Sequence, residues 1–285
     1  KSTFPYHLDL HGMRIVVDCA HGATYDIAGH VLHELGADVV LIGAQPDGLN
    51  INQECGAMHS ETIQQAVKKH KADIGIALDG DGDRLIMVDN KGRFYDGDQL
   101  VCIIAKHRQN ENSLNGGVVG TLMTNLAIEN HFKKLGIPFV RAKVGDRYVL
   151  ELLQKKGWEL GGEGSGHIVC LDKHSTGDGI ISALQVLHAM KDANRTLAEL
   201  LRGVTLYPQQ LINIKITERL DFLAIKSVKA AQIKAENDLG SQGRVLLRES
   251  GTELLVRVMV EGESKQKVKH WAEYIANILR KEINL

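Results

Sequence analysis

Asp79-Gly80-Asp81-Gly82-Asp83-Arg84 places three carboxylates at alternate positions directly after an apolar run, with glycine in both gaps. On an extended loop these side chains can converge, and three ionised carboxylates held together repel one another unless a cation joins them. A hard divalent ion such as Mg2+ takes oxygen ligands of this kind. The competing reading is a solvated acidic turn; the two glycines weigh against it, because they let a short loop fold closely around a ligand. A calcium-binding EF-hand needs Gly at its sixth position and Glu at its twelfth, where Arg84 and Asn90 stand. A phosphate-accepting Asp79 is a third reading, although the hydroxyl residue usual after such a pair is absent.

Two further segments carry chemistry. Gly161-Gly162-Glu163-Gly164-Ser165-Gly166-His167 combines a carboxylate, a hydroxyl and an imidazole with four glycines. It is either a ligand loop, in which Glu163 and Ser165 suit the bidentate reading of sugar hydroxyls, or a flexible hairpin. Taken alone, His167 reads as a structural histidine. Arg248-Glu249-Ser250-Gly251-Thr252-Glu253, followed by Arg257, offers short hydroxyl donors and forked cations, a pattern that suits phosphate. Its bland alternative is a hairpin turn flanked by surface arginines. Asp146, in Val144-Gly145-Asp146-Arg147, reads first as a helix cap, and so does Asp178 in Thr176-Gly177-Asp178-Gly179.

The elements that must position these groups alternate in type. Apolar runs at 14–18, 38–42 and 73–78 predict strands, with helices ending near Leu35 and over 61–71 between them. After the polar linker 109–113, strands are predicted at 117–121 and 139–143, and helices at 125–135, 146–156 and 180–190. This grammar predicts two α/β units with largely parallel sheets, although no sequence period marks a repeat. Past Tyr207-Pro208 the pattern changes to alternating strands at 211–217, 244–248 and 255–260, closed by an amphipathic helix over 265–280. That predicts a C-terminal α+β module. The domains expected are therefore 1–108, 109–206 and 207–285.

The chain has 285 residues, 34 Lys+Arg against 35 Asp+Glu, 44% hydrophobic and 24% charged residues. Disorder is excluded as the main state, and a near-neutral charge supplies no basic field for nucleic acid. No apolar run is long enough for a membrane helix. Cys19, Cys55, Cys102 and Cys170 stand far apart, with no C-x-x-C pair. They read as reduced thiols of a cytoplasmic protein and not as a disulfide frame or a zinc site. The first residue is Lys1 rather than Met, which leads to the expectation of further sequence upstream.

In this order and spacing the segments resemble the α-D-phosphohexomutase superfamily. The resemblance rests on Asp79–Arg84, Lys143–Val149, Gly162–His167, Thr176–Gly179 and Arg248–Glu253. Cys19–Tyr25 and Asn50–Asn52 are similar to its bacterial branch acting on glucosamine phosphates. It implies two α/β sandwich units with mixed sheets and a C-terminal α+β domain of TATA-binding-protein-like fold. The implied reaction interconverts glucosamine 6-phosphate and glucosamine 1-phosphate through a phosphoserine and a 1,6-bisphosphate, for UDP-N-acetylglucosamine synthesis. It also implies one Mg2+ per active site on Asp79, Asp81 and Asp83, with Arg84 beside the transferring phosphoryl group. Glu163, Ser165 and Asp146 are implied as substrate contacts, and Arg248, Ser250, Gly251, Thr252 and Arg257 as holders of the other phosphate. A hexosamine phosphate substrate, a homodimer and an N-terminal serine-bearing domain are the implied partners, with neither nucleic acid nor membrane.

The family's Ser-His-Asn-Pro serine segment does not occur in these 285 residues, so the chain alone is expected to be inactive. Leu254 stands where the phosphate loop often has Pro, and Gly164 where a larger side chain, often Gln or Asn, is usual. The alternatives are a phosphomannomutase or phosphoglucomutase of the same superfamily, and a non-catalytic sugar-phosphate-binding protein.

Overall fold

The computed structural model describes residues 2–217, 221–250 and 253–283. Two compact units are present, Lys1–Thr124 with His131–Val204, and Asn125–Asn130 with Thr205–Leu285.

The first unit contains two sheets. β1 (Arg14–Asp18), α1 (Ile27–Glu34), β2 (Asp38–Ile42), α2 (Ser60–His70), β3 (Ile74–Leu78), β4 (Leu85–Asp89) and β5 (Phe94–Tyr95) follow one another along the chain. The strands order β2-β1-β3-β4-β5. β1 runs parallel to β2 and β3, whereas β4 and β5 are antiparallel additions. Every residue of β3 and β4 is buried, which explains their uninterrupted apolar sequences. α3 (Gly97–Asn110) begins at a capping box between Asp96 and Gln99 and leads to the second sheet.

That sheet is built from β6 (Val118–Thr121), α4 (Leu126–Leu135), β7 (Phe139–Ala142), α5 (Asp146–Lys156), β8 (Leu160–Gly162) and β9 (Ile168–Cys170), followed by α6 (Gly179–Ala193) and α7 (Leu197–Leu200). Its order is β7-β6-β8-β9, with only β9 antiparallel. Both sheets thus place their strands second-first-third-fourth and reverse the fourth. The α/β units expected from the alternation are present, and the antiparallel β4, β5 and β9 make their sheets mixed, as the resemblance implied, rather than largely parallel. One consequence matters for function: 79–84 follows β3 and 163–167 follows β8, at equivalent corners. In open α/β sheets ligands collect outside the carboxyl ends of the parallel strands. Four cysteines are buried and unpaired, as expected from their spacing.

The second unit holds β10 (Gln209–Lys215), α8 (Lys226–Leu239), β11 (Gly243–Glu249), β12 (Leu255–Gly262) and α9 (Lys265–Glu282). The sheet is antiparallel, ordered β10-β12-β11. Val256, Val258 and Val260 turn one face of β12 toward Trp271, Ile275 and Leu279 of α9 and Val228 and Ala231 of α8. By the two-residue alternation of a strand, Arg257 and Arg248 stand on the face away from both helices. No helix among the described residues is long and apolar enough to cross a membrane.

Candidate functional site

The β3–β4 register pairs Leu78 with Leu85, so Asp79–Arg84 is the loop of a hairpin. Asp79 is buried, Asp81 exposed and Asp83 between the two. One carboxylate oxygen from each lies within 4.8 Å of the others. Arg84 donates its backbone N–H to Asp79 Oδ1 at 3.1 Å and holds its guanidinium Nε 3.6 Å from Asp79 Oδ2. Burial raises the Asp79 carboxyl to about 6, aided by the charges of Asp83 and Asp81 and opposed by the Arg84 hydrogen bond. An all-oxygen donor set whose members repel one another fits a hard divalent cation.

Close backbone contacts shape this loop. Ala23 donates its N–H to the Gly80 carbonyl at 2.8 Å, and Gly179, the first residue of α6, donates to the Gly82 carbonyl at 2.8 Å. A Cβ at Gly22 would fall 2.2 Å from the Gly80 oxygen. Gly22→Ala is therefore expected to push the acidic loop aside, costing about 1–3 kcal/mol of stability and weakening Mg2+ binding. Denaturant melts and calorimetric titration of the variant check both. The segments preceding Gly80 in space are themselves unusual: Ala20, His21, Asn52 and Glu54 all take positive φ, from 50° to 58°. Such conformations persist where surrounding structure over-determines them.

The second loop is tied to the first. His167 Nδ1 lies 2.9 Å from Asp83 Oδ2, and the imidazole is buried. Leu85 donates its N–H to the Gly166 carbonyl at 2.9 Å. Glu163 accepts the N–H of Gly145 through Oε1 at 2.9 Å, which joins the 143–147 segment to the same constellation. Ser165 is exposed at the tip of the 163–167 turn, while Gly161 and Gly162 belong to β8. Gly164 has room for a side chain: a Cβ there would meet only Asp98, at an ordinary 3.4 Å.

Asp146 departs from the cap reading. Gly145 occupies the cap position of α5 with φ 125°, and Asp146 is the first helical residue, exposed, its carboxylate favouring the helix N-terminus. Asp178, by contrast, does cap α6, accepting the N–H of Ile181 at 2.8 Å. The role of His167 in holding Asp83 was not readable from spacing, because 84 residues separate the pair.

In the second unit, Arg248 and Arg257 face each other directly across the β11–β12 ladder. The Nε atoms of both are buried and have no hydrogen-bond partner. Burial lowers the pKa of Arg248, and the neighbouring Arg257 charge lowers it further. Arg257 also places Nη2 3.7 Å from Glu253 Oε2. Ser250 is buried beside them, its hydroxyl accepting the N–H of Glu253 at 3.3 Å. Two like charges in register, with both Nε donors unanswered, form an arrangement that an anion would satisfy. Gly251 and Thr252 lie outside the described residues.

Comparison with known proteins matches three consecutive profiles of one family. Phosphoglucomutase/phosphomannomutase alpha/beta/alpha domain II matches residues 5–92, domain III residues 96–207 and the C-terminal domain residues 211–278. The phosphoglucosamine mutase of Nitrosospira multiformis is 69% identical over 280 residues, which are 98% of this chain and 60% of that protein. That of Nitrosomonas europaea is 62% identical over 282 residues, 99% of this chain and 62% of its own length. The chain thus spans about three-fifths of the curated relatives it matches. Among solved structures, a phosphoglucomutase/phosphomannomutase family protein from Burkholderia thailandensis superposes with a TM-score of 0.79 at 21% identity, covering 96% of this chain and 62% of that one. The Aspergillus fumigatus N-acetylphosphoglucosamine mutase, solved with GlcNAc-6P and magnesium, gives 0.75 at 22%, covering 96% and 67%. With 5–278 matched domain after domain in one order, this chain belongs to the phosphoglucomutase/phosphomannomutase family.

Proposed function

We propose that the chain is the metal-, sugar- and phosphate-binding part of a phosphoglucosamine mutase. The reaction interconverts glucosamine 6-phosphate and glucosamine 1-phosphate through a phosphoserine and a 1,6-bisphosphate. The observation that carries this reading is the Asp79–Asp83 loop, hydrogen-bonded through Asp83 and His167 to the turn that bears Glu163 and Ser165. The relatives' shared name and the 69% identity of one of them support the choice of substrate.

In this reading Asp79, Asp81 and Asp83 hold one Mg2+, which when bound neutralises charge on the transferring phosphoryl group. Arg84, with its side chain 41% exposed, is free to turn from Asp79 toward that phosphoryl. Glu163 and Ser165 accept and donate to sugar hydroxyls from a turn pinned at both ends, and Asp146 borders the same segment. Arg248, Ser250, Gly251, Thr252 and Arg257 grip the phosphate that is not being transferred, which fixes the orientation of the substrate. The division into 1–108, 109–206 and 207–285 assigns one of these tasks to each domain. Four buried free thiols suit the reducing cytoplasm.

The test is a chimera. The 285-residue chain alone, given Mg2+ and a hexose 1,6-bisphosphate, is expected to show no conversion of glucosamine 6-phosphate. Joined to the segment of the Nitrosospira multiformis relative that it does not span, it is expected to convert that substrate ahead of glucose 6-phosphate and mannose 6-phosphate. Turnover by the chain alone, or a preference for the glucose or mannose compound, overturns the reading.

A further inference from the structure

α3 and α6 pack together in the first unit, and each ends on a histidine and a carboxylate one turn apart. His107 lies in the last turn of α3 with Glu111 at its C-cap, and His188 and Asp192 close α6 with the same spacing of four. Residues four apart on a helix share a face, so the two helices present two nitrogen and two oxygen donors to one another. His107 Nε2 lies 3.1 Å from Asp192 Oδ2 and 3.6 Å from Glu111 Oε2. The His107 and His188 rings meet edge to face, centroids 4.4 Å apart. One donor atom from each of the four residues lies within 4.8 Å of the others.

We propose that His107, Glu111, His188 and Asp192 form a second metal site, for a borderline divalent ion of the Zn2+ class. A tetrahedral ion with bonds of about 2.0–2.1 Å separates its ligand atoms by about 3.3–3.4 Å, and the separations of 3.1 and 3.6 Å at His107 Nε2 bracket that edge. Imidazole selects Zn2+ and its first-row neighbours over Mg2+, which prefers the all-oxygen loop at Asp79. Two neutral imidazoles and two carboxylates balance the charge of the ion. The carbonyl ends of both helices point the same way, adding their partial negative charge. His107 is 9% exposed and His188 half-buried, whereas Glu111 and Asp192 are 38% and 42% exposed, so the site has one walled donor and a side open to solvent. A cavity of about 300 Å3, lined by Phe4, Tyr6, His107, Glu111 and His188, adjoins it.

Such an ion has a structural consequence. The N-terminal ends of the same helices hold the two chemistry-bearing loops, Gly97 of α3 through the Gly164 carbonyl at 3.2 Å and Gly179 of α6 through the Gly82 carbonyl at 2.8 Å. Clamping their far ends braces both loops against each other from a distance.

The experiment uses the metal-stripped chain in an Asp81→Asn, Asp83→Asn background, which disables the acidic loop. Calorimetry is expected to find one equivalent of Zn2+, and Co2+ added alone is expected to give the visible absorption of a tetrahedral nitrogen–oxygen site. Adding His188→Gln or Glu111→Gln is expected to weaken Zn2+ binding at least tenfold and abolish the Co2+ absorption. Glu111 is exposed, so its replacement leaves the far-ultraviolet circular dichroism unchanged. No Zn2+ bound in this background, or binding unmoved by either further substitution, overturns the proposal.

Discussion

Asp81→Asn is expected to remove the stabilisation that Mg2+ gives this chain, and to lower turnover of the chimeric enzyme by about 10^2–10^3-fold, the range for losing one preorganised electrostatic group. Asp81 is exposed and Asn keeps its volume, so the fold itself should change by no more than about 0.5 kcal/mol. The pH dependence follows from Asp79, whose carboxyl burial and its acidic neighbours raise to about 6. A raised carboxyl holds its proton in the folded chain at pH values where the unfolded chain has lost it. The metal-free protein therefore binds more protons folded than unfolded in that window, and its stability falls as pH rises through it. Above about pH 6 the ionised loop is most strained, and Mg2+ has most repulsion to relieve. The gain in Tm on adding Mg2+ to the EDTA-treated chain should accordingly grow between about pH 5 and about pH 7, and Asp81→Asn should flatten it. Taking the difference with and without Mg2+ cancels the titration of groups remote from the loop. A gain that shrinks as pH rises, or one that survives in Asp81→Asn, contradicts the assignment.

The acidic loop was legible in the sequence because its signal is local: three carboxylates two residues apart need no distant partner to be noticed. β1, β2 and β3 were legible for the same reason, as apolar runs bounded by turn residues. β4 was not, because Leu85–Asp89 abuts the motif and its pairing with β3 is a tertiary fact. α3 escaped because it is buried nearly all round: Leu100 to Ala105 are all below solvent, so no 3.6-residue period survives. The shared strand order of the two sheets leaves no sequence period, since each strand needs only apolar residues of the right number. His167 and Asp83, or His107 and His188, become partners only when separate elements pack. Asp146 read as a cap because Asp favours that position; a glycine at φ 125° took it instead, where an L side chain would be strained.

The cradle in the second unit makes the same trade as the metal loop with the sign of the charges reversed, and Arg248→Met exposes it. Arg248 and Arg257 stand in register, with their Nε atoms buried and unanswered, and burial followed by the Arg257 charge already pulls the Arg248 pKa down. Arg248 is half-buried and directly opposite a like charge, which destabilises a strand pair, so an apolar side chain of similar length relieves that repulsion. In phosphate-free buffer the variant is therefore expected to melt at or above the temperature of the parent chain. Its cost appears when an anion is offered. A hydrogen bond to a charged group contributes about 1.5–3 kcal/mol, and each 1.4 kcal/mol is tenfold in affinity. Inorganic phosphate should thus raise the Tm of the parent chain but not of Arg248→Met. In the chimeric enzyme KM for glucosamine 6-phosphate should rise by about ten- to hundredfold, with a smaller change in kcat, because a phosphate gripped equally in ground and transition states contributes uniform binding. A variant that melts lower without phosphate, yet still gains from it, would show that Arg248 braces the hairpin. In the proposed reading an anion completes this cradle; until one arrives, the two arginines weaken the strands that carry them.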